Sequence, residues 1–252
     1  MLLTKHRFIV NELEGKKMET NNGKLALVTG GNRGIGFAIA QGLLEKGFTV
    51  IITARSLEKA KQAAEKLQAF GEVIPIELDV TDDNSIEQAV ETVSQNTTQL
   101  DILINNAGIY PDNGINILTI SRDLLDSSLN ANTFGAIRMV QTLLPFLEKS
   151  TDARVINVSS NMGALQDLTA SAPSYCLSKF ALNGATIMLS QALRSKGIAV
   201  NSIDPGWVKT DMGGVNASRS PSQGADTAIW LATEASRNQT GKFWRDRKVI
   251  SY

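Results

Sequence analysis

Cysteine and histidine are almost missing from this chain: Cys176 and His6 are the only ones among 252 residues. A single cysteine leaves no intrachain disulfide and suits a reducing, cytoplasmic setting. One histidine excludes a histidine-based catalytic triad and a multi-histidine metal site, and one thiol excludes a cysteine-built zinc cluster, so no metal is expected. An excess of charge is missing too. Lys+Arg and Asp+Glu number 25 each, which argues against nucleic acid or an anionic membrane surface as the main partner. No apolar run reaches the length of a membrane span. Residues 1–10 are broken by charges and show no signal-peptide core.

What is present is enough apolar material for a sizeable core, 42% of the residues. Residues 1–23 are polar and turn-rich, with no sustained period, and read as an N-terminal extension. Met18 is an alternative start; a tail packed on the surface is the other reading. From residue 24 short apolar runs alternate with amphipathic ones. Strands are expected at 24–29, 48–53, 73–80, 100–105, 154–160 and 198–203, with a last edge strand over 243–252. Helices are expected after the glycine-rich turn at 30–36, at about 57–70, 83–97, 121–149, from 173 onward and at 221–235. This alternation implies a parallel, doubly wound α/β sheet with helices on both faces, of Rossmann type, over 24–252. No repeat or long linker divides it.

Ligands of such sheets bind beyond the carboxyl ends of the strands, and the polar clusters fall there. Gly30-Gly31-Asn32-Arg33-Gly34-Ile35-Gly36 sits between strand and helix, where glycines let the backbone approach a pyrophosphate and the helix N-terminus supplies N–H groups. The second strand ends at Ala54-Arg55, where an NAD-selective site commonly has a carboxylate. Arg55 and Arg33 without an acidic residue suit a 2′-phosphate, hence NADPH; the plain alternative is a surface arginine. Pro173 suits the first turn of a helix that carries Tyr175 and Lys179 on one face. A lysine ammonium there is expected to pull the phenol's pKa down from about 10, although a solvated helix face reads the same way. Cys176 points about 100° away from Tyr175 and reads as packing.

Together these residues resemble the short-chain dehydrogenase/reductase family from about Lys24 to the C-terminus. Thr29-Gly30-Gly31-Asn32-Arg33-Gly34-Ile35-Gly36 is similar to its TGxxxGIG turn. Asp79-Val80 resembles the adenine-contacting pair, with a strand-end cap as the alternative for Asp79. Asn105-Asn106-Ala107-Gly108 matches NNAG, and Asn132, Ser160, Tyr175 and Lys179 match the catalytic set. Pro205-Gly206-Trp207-Val208-Lys209-Thr210 resembles the loop at the nicotinamide end.

The resemblance is strongest to NADPH-dependent carbonyl reductases. It implies reduction of a ketone, aldehyde or quinone, with Tyr175 as proton donor and Ser160 hydrogen-bonded to the carbonyl oxygen. Lys179 would hold the nicotinamide ribose, and Asn132 a water leading to solvent. Cofactor contacts are implied at Gly30, Asn32, Arg33, Gly34, Ile35, Gly36, Arg55, Asp79, Val80, Asn106, Ala107, Gly108, Tyr175, Lys179, Pro205, Gly206, Val208 and Thr210. Ser159 competes with Ser160; Tyr110, Pro111, Trp207 and residues 212–218 are candidate substrate walls.

Two departures bear on assembly. Ser160 and Tyr175 are 15 positions apart, without the insertion associated with monomeric animal carbonyl reductases. Trp244-Arg245-Asp246-Arg247 replaces the Val-Asp-Gly-Gly type turn of tetrameric members. A homodimer, a homotetramer and a monomer all remain open. The alternative functions are an NAD-dependent alcohol dehydrogenase and a non-catalytic NADPH-binding regulator.

Overall fold

The computed structural model describes residues 23–252, the side chain of Asn96 excepted. Apart from Gly23, the expected extension lies outside the described residues, as does His6. The chain runs through β1 (Leu25–Val28), α1 (Gly34–Glu45), β2 (Thr49–Ala54), α2 (Leu57–Leu67), β3 (Val73–Glu77), α3 (Asp83–Asn96), β4 (Ile102–Asn105) and α4 (Arg122–Leu129). It continues with α5 (Gly135–Leu147), β5 (Arg154–Val158), α6 (Pro173–Ala192), β6 (Ala199–Ile203), α7 (Pro221–Thr233), β7 (Phe243–Arg245) and β8 (Lys248–Ile250).

All the strands share one sheet, ordered β3-β2-β1-β4-β5-β6-β7-β8. Residues of β1, β2, β4, β5 and β6 are buried throughout, as expected where helices cover both faces of a parallel sheet. Their period of two divides the core. Ala26, Val28, Val50 and Ile52 pack with Ile39 and Leu43 of α1 and Leu231 of α7. Leu25, Leu27, Ile51 and Leu103 pack with Ile86 and Val93 of α3 and Leu143 and Leu147 of α5. Pro75 lies in β3, the strand at the sheet's end, where a missing N–H leaves no inner ladder bond unmade.

β1 pairs with both β2 and β4, so the chain winds outward through β2 and β3 and then returns to the other side of β1. Successive crossovers leave in opposite directions there, which opens a crevice above the carboxyl ends of β1 and β4.

Two elements differ from expectation. The single helix over 121–149 is instead α4 and α5 joined by a π turn, Asn130–Phe134. The wider turn puts Asn132 and Thr133 into the interior, where Thr133 Oγ1 donates to Ser178 O at 2.7 Å. Next to it, a Cβ on Gly135 would lie 2.6 Å from Val80 O, so α5 starts against the backbone beyond β3. The expected last edge strand is a hairpin. β7 continues the parallel sheet and β8 turns back antiparallel to it. Asp246 and Arg247 occupy the turn at φ 50° and 59°, as a two-residue hairpin of this hand requires. Neither is glycine. Arg247 is held by Asp226 at 2.5 and 2.8 Å, and Asp246 receives Arg219 at 2.5 and 3.2 Å; these contacts offset the backbone cost.

Leu103 lies at the centre of this sheet with no exposed surface. Leu103→Ala is expected to lower stability by about 2–5 kcal/mol, read as an earlier midpoint in urea with an unchanged slope.

Candidate active site

The crevice above β1 and β4 opens into a cleft of about 890 Å³. Its floor is joined by Thr29. That hydroxyl accepts from the N–H groups of Asn106 and Ala107 at 2.9 and 3.0 Å, while Asn106 Nδ2 donates to the carbonyls of Thr29 and Gly30 at 2.9 and 3.1 Å. The glycine turn and the Asn-Asn-Ala-Gly segment are thereby fastened to each other. Gly30 and Gly34 have φ of 62° and 58°, where side chains are disfavoured. A Cβ on Gly36 would meet Gly30 O at 2.5 Å. Arg33, at the N-cap of α1, provides no side-chain acceptor to that helix, so the N–H groups of its first turn are left for a ligand. A close backbone and a helix N-terminus facing the cleft suit a phosphate group.

All the expected cofactor-contact positions line this cleft. Arg55 is exposed at the end of β2 and makes no hydrogen bond or ion pair with the described residues. Arg33 is different: its guanidinium is paired with Asp211 on the loop after β6. Asp79 Oδ1 accepts from the N–H and hydroxyl of Thr81 at 2.9 and 2.7 Å. The cap role is therefore realised, and the residue still borders the cleft.

Tyr175 and Lys179 are buried and face the inner end of the cleft. The two serines separate. Ser160 stands beside the Tyr175 phenol and its Oγ accepts from Met162 N at 3.2 Å, whereas Ser159 Oγ donates to Lys179 O at 3.4 Å. Lys179 Nζ lies 5.7 Å from the Tyr175 ring centre and donates to Val158 O at 2.8 Å. The expectation of a lowered tyrosine pKa is corrected here. Burial raises it well above the usual phenol range; the neighbouring Ser160 hydroxyl pulls only partly the other way, and Asp204 adds to the rise. Burial also lowers Lys179 to about 8, so the ammonium is itself weakened as a counter-charge.

Asn132 lies on the same side. Its Oδ1 accepts from Ile109 N at 2.8 Å, and its Nδ2 donates to Ile109 O and Ser178 Oγ, both at 2.9 Å. Both donors are thus committed, one to the chain after β4 and one to α6. One lone pair of Oδ1 remains, on the side where a Cβ added to Gly108 would lie 2.8 Å from it and 3.6 Å from Lys179 Nζ.

Sequence reasoning missed two positions. Gly163 passes so close to α6 that a Cβ would lie 2.5 Å from the Lys179 carbonyl carbon. Asp112 accepts from Ser174 N at 2.6 Å; in the sequence, Pro111-Asp112-Asn113-Gly114 reads as an ordinary turn.

A Rossmann-type sheet with such a cleft is the architecture of dinucleotide-dependent enzymes. The family model for short chain dehydrogenase matches residues 24–220, and this chain belongs to that oxidoreductase family. It is 38% identical over 190 residues to the 3-oxoacyl-(acyl-carrier-protein) reductase FabG of Vibrio harveyi, covering 75% of each chain. It is 34% identical over 242 residues to the short-chain dehydrogenase anuI of Penicillium roqueforti, covering 90% of this chain and 95% of that one. Among solved structures it resembles an NADPH-bound carbonyl reductase from chicken fatty liver at 31% identity and a TM-score of 0.83, covering 91% of this chain and 99% of that one. The carbonyl reductase Sniffer of D. melanogaster matches at 30% identity and a TM-score of 0.78, covering 87% and 95%. Among the described residues no helix is long and apolar enough to cross a membrane.

The buried lysine makes stability depend on pH. Its folded pKa of about 8 lies below the ordinary lysine value of about 10.4. Between these limits the unfolded chain binds more protons, so stability rises with pH. From pH 8 to 10 this group is expected to contribute about 2 kcal/mol. Above pH 10, Tyr175, whose folded pKa is raised, acts in the opposite direction. Urea unfolding at pH 7.5, 8.5 and 9.5 is expected to show the rise in the wild type and its loss in Lys179→Met.

Proposed function

We propose that the protein is an NADPH-dependent reductase of ketones, aldehydes or quinones. The observation that carries this reading is the buried trio of Ser160, Tyr175 and Lys179 at the inner end of a cleft whose outer end suits phosphate. Bound nicotinamide would supply the hydride that reaches the carbonyl carbon. Tyr175 gives its proton to the carbonyl oxygen, and a phenol held protonated by burial is in the state a donor needs. Ser160 donates a hydrogen bond to the same oxygen, a contact that strengthens as negative charge grows there. Lys179 holds ribose hydroxyls, and Asn132 keeps the polar path from Lys179 in place.

Arg55 takes the 2′-phosphate, supported by its freedom from any partner among the described residues and by the absence of a carboxylate at Ala54. Tyr110, Met162, Trp207 and Met212 line the cleft beside the catalytic groups, which favours an uncharged substrate. The similarity to FabG supports a second substrate reading, a 3-oxoacyl thioester. For assembly, Leu177, Phe180 and Met188 form an exposed apolar stripe along α6 that supports self-association through this helix.

The test is NADPH oxidation with ketones, aldehydes, quinones and a 3-oxoacyl thioester, with NADH in parallel. Turnover with NADPH on at least one class is expected, and no turnover on any of them would overturn the reading. Tyr175→Phe is expected to lower kcat by at least about a thousandfold while NADPH affinity stays within a few-fold.

Arg55→Asp is expected to lower the NADPH/NADH preference by at least about tenfold, the loss of one charge-assisted phosphate contact. An unchanged ratio of the two kcat/KM values would remove Arg55 from the phosphate site and favour the NAD-dependent alternative.

A further inference from the structure

Helix α6 begins without a cap of its own. Ala172, at the N-cap, has no side-chain acceptor, and Pro173 has no N–H. The first backbone donors needing a partner are therefore those of Ser174 and Tyr175. Both are met from outside the helix, by one carboxylate oxygen: Asp112 Oδ2 accepts from Ser174 N at 2.6 Å and from Tyr175 N at 3.4 Å. Asp112 has no exposed surface, and its other oxygen, Oδ1, has no hydrogen-bond partner among the described residues. No cation pairs with it there. Its charge faces the positive end of the α6 dipole.

Capping alone does not account for this arrangement. A serine or asparagine at position 172 would satisfy the same donors without burying a carboxylate that lacks a counter-ion. What the distant cap adds is a link between the first turn of α6 and the loop after β4. That loop is attached to the approach to α6 by Gly114 N donating to Ser171 O and Ile117 N donating to Ala170 O, both at 2.9 Å. It also sets the Tyr110 ring against the Tyr175 ring, with centres 4.4 Å apart. Ser174 Oγ is 2.8 Å from Ser128 Oγ of α4, and Ser178 Oγ donates to Tyr175 O at 2.8 Å. Tyr175 is thus fixed at its N–H by Asp112, at its ring by Tyr110 and at its carbonyl by Ser178.

We propose that Asp112 is a positioning residue for Tyr175, holding the first turn of α6 in the orientation that keeps the phenol in the cleft beside Ser160. The proposal rests on the reading of Tyr175 as proton donor. Displacements of about 1 Å cost on the order of a hundredfold in rate, so the first turn needs a fixed anchor.

The test compares Asp112→Ala with Asp112→Asn, whose amide oxygen accepts the same N–H groups. In the Ala variant kcat is expected to fall about 10–100-fold with the Kd for NADPH within twofold, and in the Asn variant kcat is expected within about threefold of wild type. In the protein without cofactor, the amides of Ser174 and Tyr175 are expected to exchange with deuterium at least about tenfold faster in Asp112→Ala than in Asp112→Asn. Wild-type kcat in the Ala variant would overturn the proposal. So would a parallel loss of kcat and NADPH binding that follows the fraction unfolded. Where the Ala variant does not fold, Asp112→Glu, with its carboxylate displaced by one methylene, is expected to lose about tenfold in kcat, and wild-type turnover there would overturn the proposal equally. Amide exchange reads Asp112's hold on Tyr175 whether or not any carbonyl is reduced. Accelerated exchange in a protein inactive on the whole panel would therefore sink the proton-donor reading, and unchanged exchange in an active one would sink the role of Asp112.

Discussion

A lysine ammonium withdrawn from water and held by one backbone carbonyl is the contact on which the inner cleft depends. Lys179 Nζ meets Val158 O at the end of β5, and this ties α6 to the strand that delivers Ser160. The approach is possible because Gly163 has no side chain, since a Cβ there would run into the Lys179 backbone. Asn183 Nδ2 donates to Gly163 O at 3.1 Å from the next turn of α6, which holds the close contact from its other side. Burial weakens the ammonium as an acid–base neighbour and at the same time keeps Tyr175 protonated. The same desolvation thus holds the phenol in its protonated form and weakens it as an acid.

Such a site needs polar groups inside a largely apolar sheet, and those of β4 and β5 nearest the cleft, Asn105 and Asn157, lie in the carboxyl halves of their strands. Asn105 Nδ2 donates to Asn157 Oδ1, and Asn157 Nδ2 to Thr186 Oγ1 on α6, both at 2.9 Å. These residues occupy register positions next to each other in β4 and β5. A chain of amide and hydroxyl groups therefore runs across the sheet into α6. Each buried amide is costly without a partner, so the chain holds only if β4, β5 and α6 keep their relative positions. The Thr29 and Asn106 bonds do the same between β1 and β4. Cleft geometry is in this way an outcome of polar satisfaction as much as of apolar packing.

Which of these features the sequence reveals follows from how local their causes are. β1, the glycine turn and α1 are set by near neighbours, and their order was legible. The Tyr175 and Lys179 pair was legible because four residues make one helical turn. The choice of Ser160 over Ser159 came from family resemblance; after β5 the Ser159 hydroxyl turns to Lys179 O and Ser160 Oγ to Met162 N, a difference visible only in three dimensions. The π turn around Asn132 has no local signature, since its wider winding is stabilised by Ser178 and Ile109 far along the chain. The Asp246-Arg247 turn lacks the glycine that would announce it and depends on Asp226 and Arg219 instead. The tyrosine pKa was misjudged because spacing registers the nearby charge and not the depth of burial.

The arginines show how a local reading becomes asymmetric once the chain is folded. Arg33 and Arg55 are equivalent on paper, as two cations near the expected phosphate. In the folded chain Arg33 spans the cleft mouth to Asp211, so for that side chain to meet a phosphate it must leave or share a carboxylate. Arg55 gives up no partner among the described residues. An exposed ion pair is worth about 0–1 kcal/mol, so a doubly charged phosphate can compete for Arg33, but its net gain is reduced by whatever that pair contributed. The 2′-phosphate selectivity proposed for this site therefore falls mainly on Arg55. The Arg33 and Asp211 pair instead joins the glycine turn to the loop that carries Trp207 and Met212, which links the outer end of the cleft to the wall where substrate is proposed to lie.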